Sequence, residues 1–326
     1  MINLLYIFTG NTLITFGGLT MFKKLATLGL SLTLATGILS ACGSEEKTTN
    51  DANGYEPKEL TVQFVPSSNA DTLEAKAKPL EGLLSDELGI PVKVSVSTNY
   101  NTIIEAMDSK KIDVGFLPPT AYVLAHDKGS ADVILQAQRF GINDDGSEND
   151  ELVDFYKSIF IVKADSAIKT VADLKGKKIA TQDVTSSAGY VWPVGKLMEN
   201  DINVPGDVET VTVKGHDQAV IALLNGDVDA AVVFQDARNI VKADYPTVFE
   251  DTKVLEFTEA IPNDTISVRS DMSDEWRKKL QDAFIAIGKS DEGHQIIRDI
   301  YTHEGYVESE DSKFDIVREY NEKVTE

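Results

Sequence analysis

Short runs rich in aliphatic and β-branched residues recur along this chain, and between them the apolar spacing lengthens to three or four residues. The runs are "ELTVQFV", "VKVSVS", "IDVGFL", "DVILQAQ", "SIFIVKA", "KKIATQ", "ETVTVK", "VDAAVVF" and "TISVRS". Each has the length and composition of one strand. Between the first two lies "DTLEAKAKPLEGLLSDELG", which puts Leu73, Ala77, Leu80, Leu84 and Leu88 on one helical stripe and stops at Gly89. Strands alternating with helices predict an α/β architecture with largely parallel sheets. A short internal echo, "IIEAMDSKKIDVGFL" against "AVIALLNGDVDAAVVF", repeats helix, polar turn and Asp-containing strand, and suggests two similar units. Such units present helix N-termini at the carboxyl ends of their strands, where α/β folds bind ligands.

The front of the chain follows a different rule. "MFKKLATLGLSLTLATGILSAC" runs from Met21 through two lysines and an apolar stretch, Leu25 to Leu39, to small residues before Cys42. That is the layout of a secretory signal, here residues 1–41. Residues 1–20 carry no charge, so Met21 is the expected start of translation. "LSAC" resembles the lipobox of bacterial lipoproteins, which implies that Cys42 is lipidated and begins the mature protein. The plainer alternatives are a transmembrane anchor, for which the run is short, or a buried free cysteine. The polar stretch after Cys42, "GSEEKTTNDANGYEPKE", reads as a tether over residues 42–57.

Charge and residue inventory narrow the function. The formal charge is −22, and loss of residues 1–41, with two lysines and no acids, makes it −24. So acidic a surface repels nucleic acid and anionic membranes. Cys42 is the single cysteine and there are four histidines, so no disulfide, metal cluster or cofactor is expected. The P-loop, nucleophile-elbow, dinucleotide and zinc-protease patterns are absent, which argues against an enzyme. His303 and Glu304 in "THEGY" lack metal-ligand spacing and read as a solvated helix end.

One stretch carries more chemistry than its length suggests. "ATQDVTSSAGYVWP" places Thr185, Ser186, Ser187 and Gly189 between a strand and the start of a helix. Hydroxyls there either cap the helix or, with its backbone N–H groups, cradle an anion. In order along the chain, "NYNTIIEAM", "IDVGFLPPTAYVLA", "DLKGKKIATQDVTSSAGY", "KGHDQAVIALLNGDVDAAVV" and "IPNDTISVRS" resemble the phosphonate, phosphite and phosphate substrate-binding proteins of bacterial ABC transporters. The resemblance spans about residues 58 to 325. It implies a two-lobed, type II periplasmic-binding-protein fold with a ligand cleft between lobes. Lobe 1 would comprise 58–165 and 259–326, and lobe 2 would comprise 166–258.

The same resemblance implies a site. The oxyanion would be held by Ser186 and Ser187, with Thr185 beside them, by His216 at a strand-to-helix turn, by Tyr100 opening an early helix and by Asp264 in a late loop. Thr120 and Tyr122, in "LPPTAY", are further candidates. Each has a plainer role as cap, turn or packing residue. The implied partners are a small phosphorus anion, a permease and its ATPase, with the membrane reached through the lipid anchor, on a Gram-positive surface by expectation.

Elementary chemistry supports such a site. Helix N-termini and hydroxyls supply many donors to a tetrahedral anion without a buried free counter-charge. Screening over about 8 Å leaves those local dipoles in control despite the acidic surface. Asp264 beside an anion needs a proton or cation between the two: a protonated phosphorus oxyanion, or the ammonium of an aminoalkylphosphonate. Sulfate supplies neither. Cleft volume around Tyr100, Phe116, Tyr122, Tyr156 and Phe234 would select among phosphorus anions. Another small anion such as a sulfonate or nitrate, an extracellular phosphoester hydrolase using Ser186 or Ser187 with His216, and a surface interaction lipoprotein are the other readings.

Overall fold

Val62 and Phe64 alternate with half-exposed neighbours in a strand that needs cover on both sides, and the chain supplies it with parallel partners. The computed structural model describes residues 54–143 and 147–325. The signal, most of the tether and Cys42 lie outside the described residues. The first sheet contains β1 (Leu60–Phe64), β2 (Val92–Val96), β3 (Val114–Leu117), β4 (Ala131–Ile142) and β5 (Glu148–Val153). The second contains β6 (Phe155–Lys163), β7 (Lys178–Thr181), β8 (Glu209–Thr212), β9 (Ala230–Phe234) and β10 (Thr252–Pro262). The chain then returns to the first sheet with β11 (Thr265–Arg269) and β12 (Gly305–Glu308).

The internal echo has a structural counterpart. Strand order is β12-β4-β11-β3-β1-β2 in the first sheet, with β5 on β4, and β10-β6-β9-β7-β8 in the second. Hence β2-β1-β3 and β8-β7-β9 have the same order and are both parallel. The echoing segments are the helix and strand that complete each unit. The remaining strand pairs are antiparallel, so the sheets are mixed rather than largely parallel. The cause is the connectivity: strands entering from the other half of the molecule run against the units they join.

Helices cover the first sheet at α1 (Ala70–Ala77), α2 (Leu80–Leu88), α3 (Tyr100–Asp108) and α4 (Pro119–Asp127), and the second at α5 (Trp192–Met198), α6 (His216–Asn225), α7 (Arg238–Val241) and α8 (Val248–Asp251). Near the C-terminus come α9 (Asp274–Lys289), α10 (Asp291–Tyr301) and α11 (Asp315–Thr325). The single stripe expected over residues 73–88 is divided between α1 and α2 at Pro79, whose ring cannot continue a helix and donates no N–H. Leu73, Ala77, Leu80 and Leu84 are nevertheless all buried, and Gly89 ends α2 with φ +72°.

Two boundaries differ from the sequence expectation. Sheet membership changes at Asp154 and again at Asn263–Asp264, not at 165 and 258: β6 and the end of β10 pair with each other in the second sheet. At the front, Tyr55, expected in the tether, is fastened to the body. Its N–H donates to Asp271 O at 2.7 Å, its carbonyl accepts from Ser273 N–H at 3.0 Å, and Arg269 lies 3.6 Å above its ring.

The first half is centred on a buried aromatic cluster. Phe64 and Phe116 stack with centroids 4.1 Å apart, and Phe284 and Tyr306 meet Phe116 edge-on. Truncating Phe116 to Ala is expected to lower the free energy of unfolding by about 3–5 kcal/mol. Urea titration followed by tryptophan fluorescence measures this, and a loss below about 1 kcal/mol would show that the cluster repacks around the gap.

Candidate ligand-binding site

Strands β1, β3, β7, β8 and β9 all lead into one cavity of about 260 Å³. Parallel units aim their strand ends and following helix starts at a common point, and here two units do so from opposite sides. From the first half come Ser67 and Ser68 after β1, and Tyr100 at the start of α3. Asn99 caps α3 by accepting the Thr102 N–H at 2.8 Å, which fixes where Tyr100 emerges. Tyr100 is 4 % exposed, beside Ser186, and burial raises its pKa above the usual phenol range, so it remains a hydroxyl donor.

The hydroxyl run after β7 divides its labour. Asp183 accepts from the Thr185 N–H at 3.0 Å and from the Thr185 hydroxyl at 2.8 Å, which turns the chain. Ser186 Oγ accepts the Gly189 N–H at 3.1 Å, capping the turn Ser187–Val191, and Ser186 lines the cavity. Gly189 has a steric reason to be glycine: a Cβ there would lie 2.1 Å from Gln182 Cγ. Ser187 points elsewhere, donating to Thr120 Oγ1 at 2.9 Å and accepting the Thr120 N–H at 2.9 Å. Tyr122 donates to Asp311 at 2.8 Å and packs on Phe314. Tyr100, Ser186, His216 and Asp264 therefore share the cavity lining, whereas Thr120, Tyr122, Thr185 and Ser187 stand outside it. Of the residues expected to set its volume, Tyr156 and Phe234 also line it; Phe116 and Tyr122 do not.

His216 opens α6, and its N–H donates to Ser67 O across the cavity at 2.8 Å. The preceding Gly215 has φ +95°, a conformation that side-chain-bearing residues rarely adopt. The Phe234 N–H donates to His216 Nδ1 at 3.4 Å, which leaves Nε2 as the ring's donor. Burial lowers its pKa to about 3; Asp264 opposes that shift and Arg139 adds to it. His216 is thus a neutral donor at neutral pH.

Asp264 follows β10, with its N–H donated to Asn263 Oδ1 at 3.0 Å. His303 Nε2 lies 3.6 Å from its carboxylate. His303 is 1 % exposed, so its reading as a solvated helix end is wrong: α10 ends at Tyr301, and the chain turns His303 inward. Sequence reasoning also missed Ser67 and Ser68, although "VPSSNAD" after β1 mirrors "DVTSSAG" after β7. Arg139 and Asp236 were missed as well. They line the cavity from β4 and from the end of β9, and pair at 3.5 Å with their side chains 5 % and 3 % exposed. Among the described residues no group of His, Cys, Asp and Glu could hold a metal ion.

A family model described as "ABC transporter, phosphonate, periplasmic substrate-binding protein" matches residues 62–314. The chain belongs to this phosphonate-binding family. Two curated relatives are similar to it. The "Phosphate-import protein PhnD" of Mycolicibacterium smegmatis is 29% identical over 65% of this chain. The "Phosphonates-binding periplasmic protein" of Escherichia coli is 24% identical over 74% of this chain and 69% of its own length. The chain spans 65% of the length of the first of these. PhnD1 from Prochlorococcus marinus in complex with methylphosphonate is 18% identical, with TM-score 0.70 over 83% of this chain and 99% of that one. The fold of this phosphonate-binding family member is the two-lobed, type II periplasmic-binding-protein fold, with its cleft between the lobes.

The depressed pKa of His216 has a measurable sign. Between pH 6.5 and about 3 the unfolded chain binds a proton that the folded chain does not. The stability from keeping His216 neutral is complete above pH 6.5 and is lost as pH falls through that window. His216→Gln is expected to flatten unfolding free energy against pH by up to about 1.4 kcal/mol per unit between pH 4 and 6. Identical slopes for variant and parent in urea titrations would contradict a buried neutral imidazole.

Proposed function

We propose that this chain captures a phosphonate, phosphite or phosphate outside the cytoplasm and delivers it to a permease driven by an ATPase. The observation that carries this is the meeting, in one cavity of about 260 Å³, of the neutral donors Tyr100, Ser186 and His216 with the carboxylate of Asp264. Donors alone would suit any tetrahedral anion. A carboxylate among them favours an anion that still bears a proton, which phosphorus oxyanions do near neutral pH and sulfate does not. The relatives, transport proteins named for phosphate and phosphonates, agree with this choice.

In this reading Ser186, Tyr100 and His216 Nε2 donate to the oxyanion, and Asp264 accepts its hydroxyl proton. Thr185, Ser187, Thr120 and Tyr122 hold the cradle from behind. Binding rather than turnover is favoured by the direction of His216: its Nδ1 faces the Phe234 N–H rather than a serine hydroxyl. Sheet membership supports lobes that change over near Asp154 and Asp264. The signal and the cysteine of "LSAC" support secretion followed by lipid anchoring at Cys42, with residues up to about 53 as tether.

Thermal unfolding of the ligand-stripped protein with methylphosphonate, phosphite, phosphate and sulfate tests the proposal. A bound compound at 100 times its Kd adds about 2.7 kcal/mol. At least one phosphorus anion is expected to stabilise the chain and sulfate to leave it unchanged; the reading fails if none does. Asp264→Ala is expected to narrow a preference over sulfate of about 100-fold or more to about tenfold. Undiminished rejection of sulfate by that variant would remove Asp264 from its assigned role.

A further inference from the structure

Three carboxylates line the cavity; Asp299 is exposed, whereas Asp236 and Asp264 are withdrawn from solvent, and the buried cation beside them comes from the protein itself. Arg139 projects from β4 and is 4 % exposed, whereas Lys76 and Arg298, which also line the cavity, reach solvent. Its guanidinium lies 3.5 Å from Asp236 Oδ1 and 3.4 Å from the Tyr301 carbonyl, and 4.8 Å above the Tyr156 ring. The other Asp236 oxygen accepts the Thr302 hydroxyl at 3.0 Å. Both oxygens of Asp236 are thus engaged. Arg139 Nε is buried and has no hydrogen-bond partner among the described residues.

A ligand whose substituent is an ammonium group would seek a carboxylate on which to place it. At Asp236 it would meet a guanidinium already seated, where burial weakens the screening of repulsion between like charges. An oxyanion without that substituent is attracted by the same guanidinium. Resting on the reading of the cleft as a phosphorus-oxyanion site, we propose that Arg139 determines its specificity. By occupying the cationic position beside Asp236, it restricts the cleft to phosphorus oxyanions that carry no positive substituent. Methylphosphonate, phosphite and phosphate qualify, and aminoalkylphosphonates do not.

Isothermal titration of the ligand-stripped protein with methylphosphonate, phosphite, phosphate and 2-aminoethylphosphonate decides the matter. The parent is expected to bind at least one of the first three about tenfold or more tightly than 2-aminoethylphosphonate, a difference of about 1.4 kcal/mol. Arg139→Met exposes Asp236 and is expected to shift that ratio by about tenfold or more toward the amino compound. Arg139→Lys, which keeps a cation, is expected to retain the parent's preference. Binding of 2-aminoethylphosphonate by the parent as tightly as the best of the others overturns the proposal and leaves the oxyanion site intact. An unchanged ratio in a folded Arg139→Met also overturns it. Failure of every phosphorus compound to bind the parent removes the oxyanion reading itself. The parent's own ratio stands as the test if Arg139→Met does not fold.

Discussion

The two crossings between the halves lie side by side and are hydrogen-bonded to one another, and the site depends on that arrangement. Asn263 N–H donates to Asp154 O at 2.8 Å just where β6 begins and β10 ends. β4 anchors both from the first half: Gln136 Nε2 donates to Asp154 O at 2.9 Å, and Ala137 N–H to Asp264 O at 2.8 Å. Two short, adjacent, anchored strands allow one half to turn against the other without separating from it. Asp264, the residue after one crossing, stays close to the axis of any such turn. Asp264 therefore moves least in such a turn, and Ser186 and His216 face it from the second half.

In the proposed reading, this placement resolves the apparent conflict between an acidic protein and an anionic ligand. A charge of −22 over the whole chain acts through screened solvent, whereas the inner cavity wall carries buried groups whose charge state is set locally. Burial keeps the imidazoles of His216 and His303 below their ordinary pKa and the phenols of Tyr100, Tyr156 and Tyr301 above theirs. All of them remain neutral, able to donate without adding charge. Lys76, Arg298 and Asp299 reach solvent, so the less exposed fixed charges of the cavity reduce to Asp264 and the Arg139–Asp236 pair.

The α/β alternation and the repeated unit were legible because β3 and β9 are nearly continuous runs of buried apolar residues, and β1 and β7 place their aliphatic positions in the core beside them. β10 was not: two of its three buried residues, Thr252 and Thr258, are polar, Glu256 and Glu259, set between these and Ile261, are exposed, and its pairing slips between Val254 and Glu256 and again between Phe257 and Ala260. The crossing near residue 155 was misplaced because "SIFIVKA" gives no sign of which sheet it joins; that is decided by pairing with residues about a hundred positions away. Within the site, Ser186, His216 and Asp264 were readable as elements of local turns. Ser187 and Thr120 carry the same local signal but face each other, and only the contact between halves reveals it. Arg139 was hidden because an arginine near the end of a strand gives no indication of whether it faces solvent or a cavity.

Outside the cavity the hydroxyl pair Thr120–Ser187, and across it the bond from His216 N–H to Ser67 O, join one half to the other. They are therefore clocks as well as fasteners. In the proposed reading, escape of a bound anion has to wait for them to break. At about 1 kcal/mol net apiece, each lengthens that wait about fivefold. Dwell time is thus partly written into Thr120 and Ser187, which stand outside the cavity. It can be retuned at Thr120 without altering which anion is accepted.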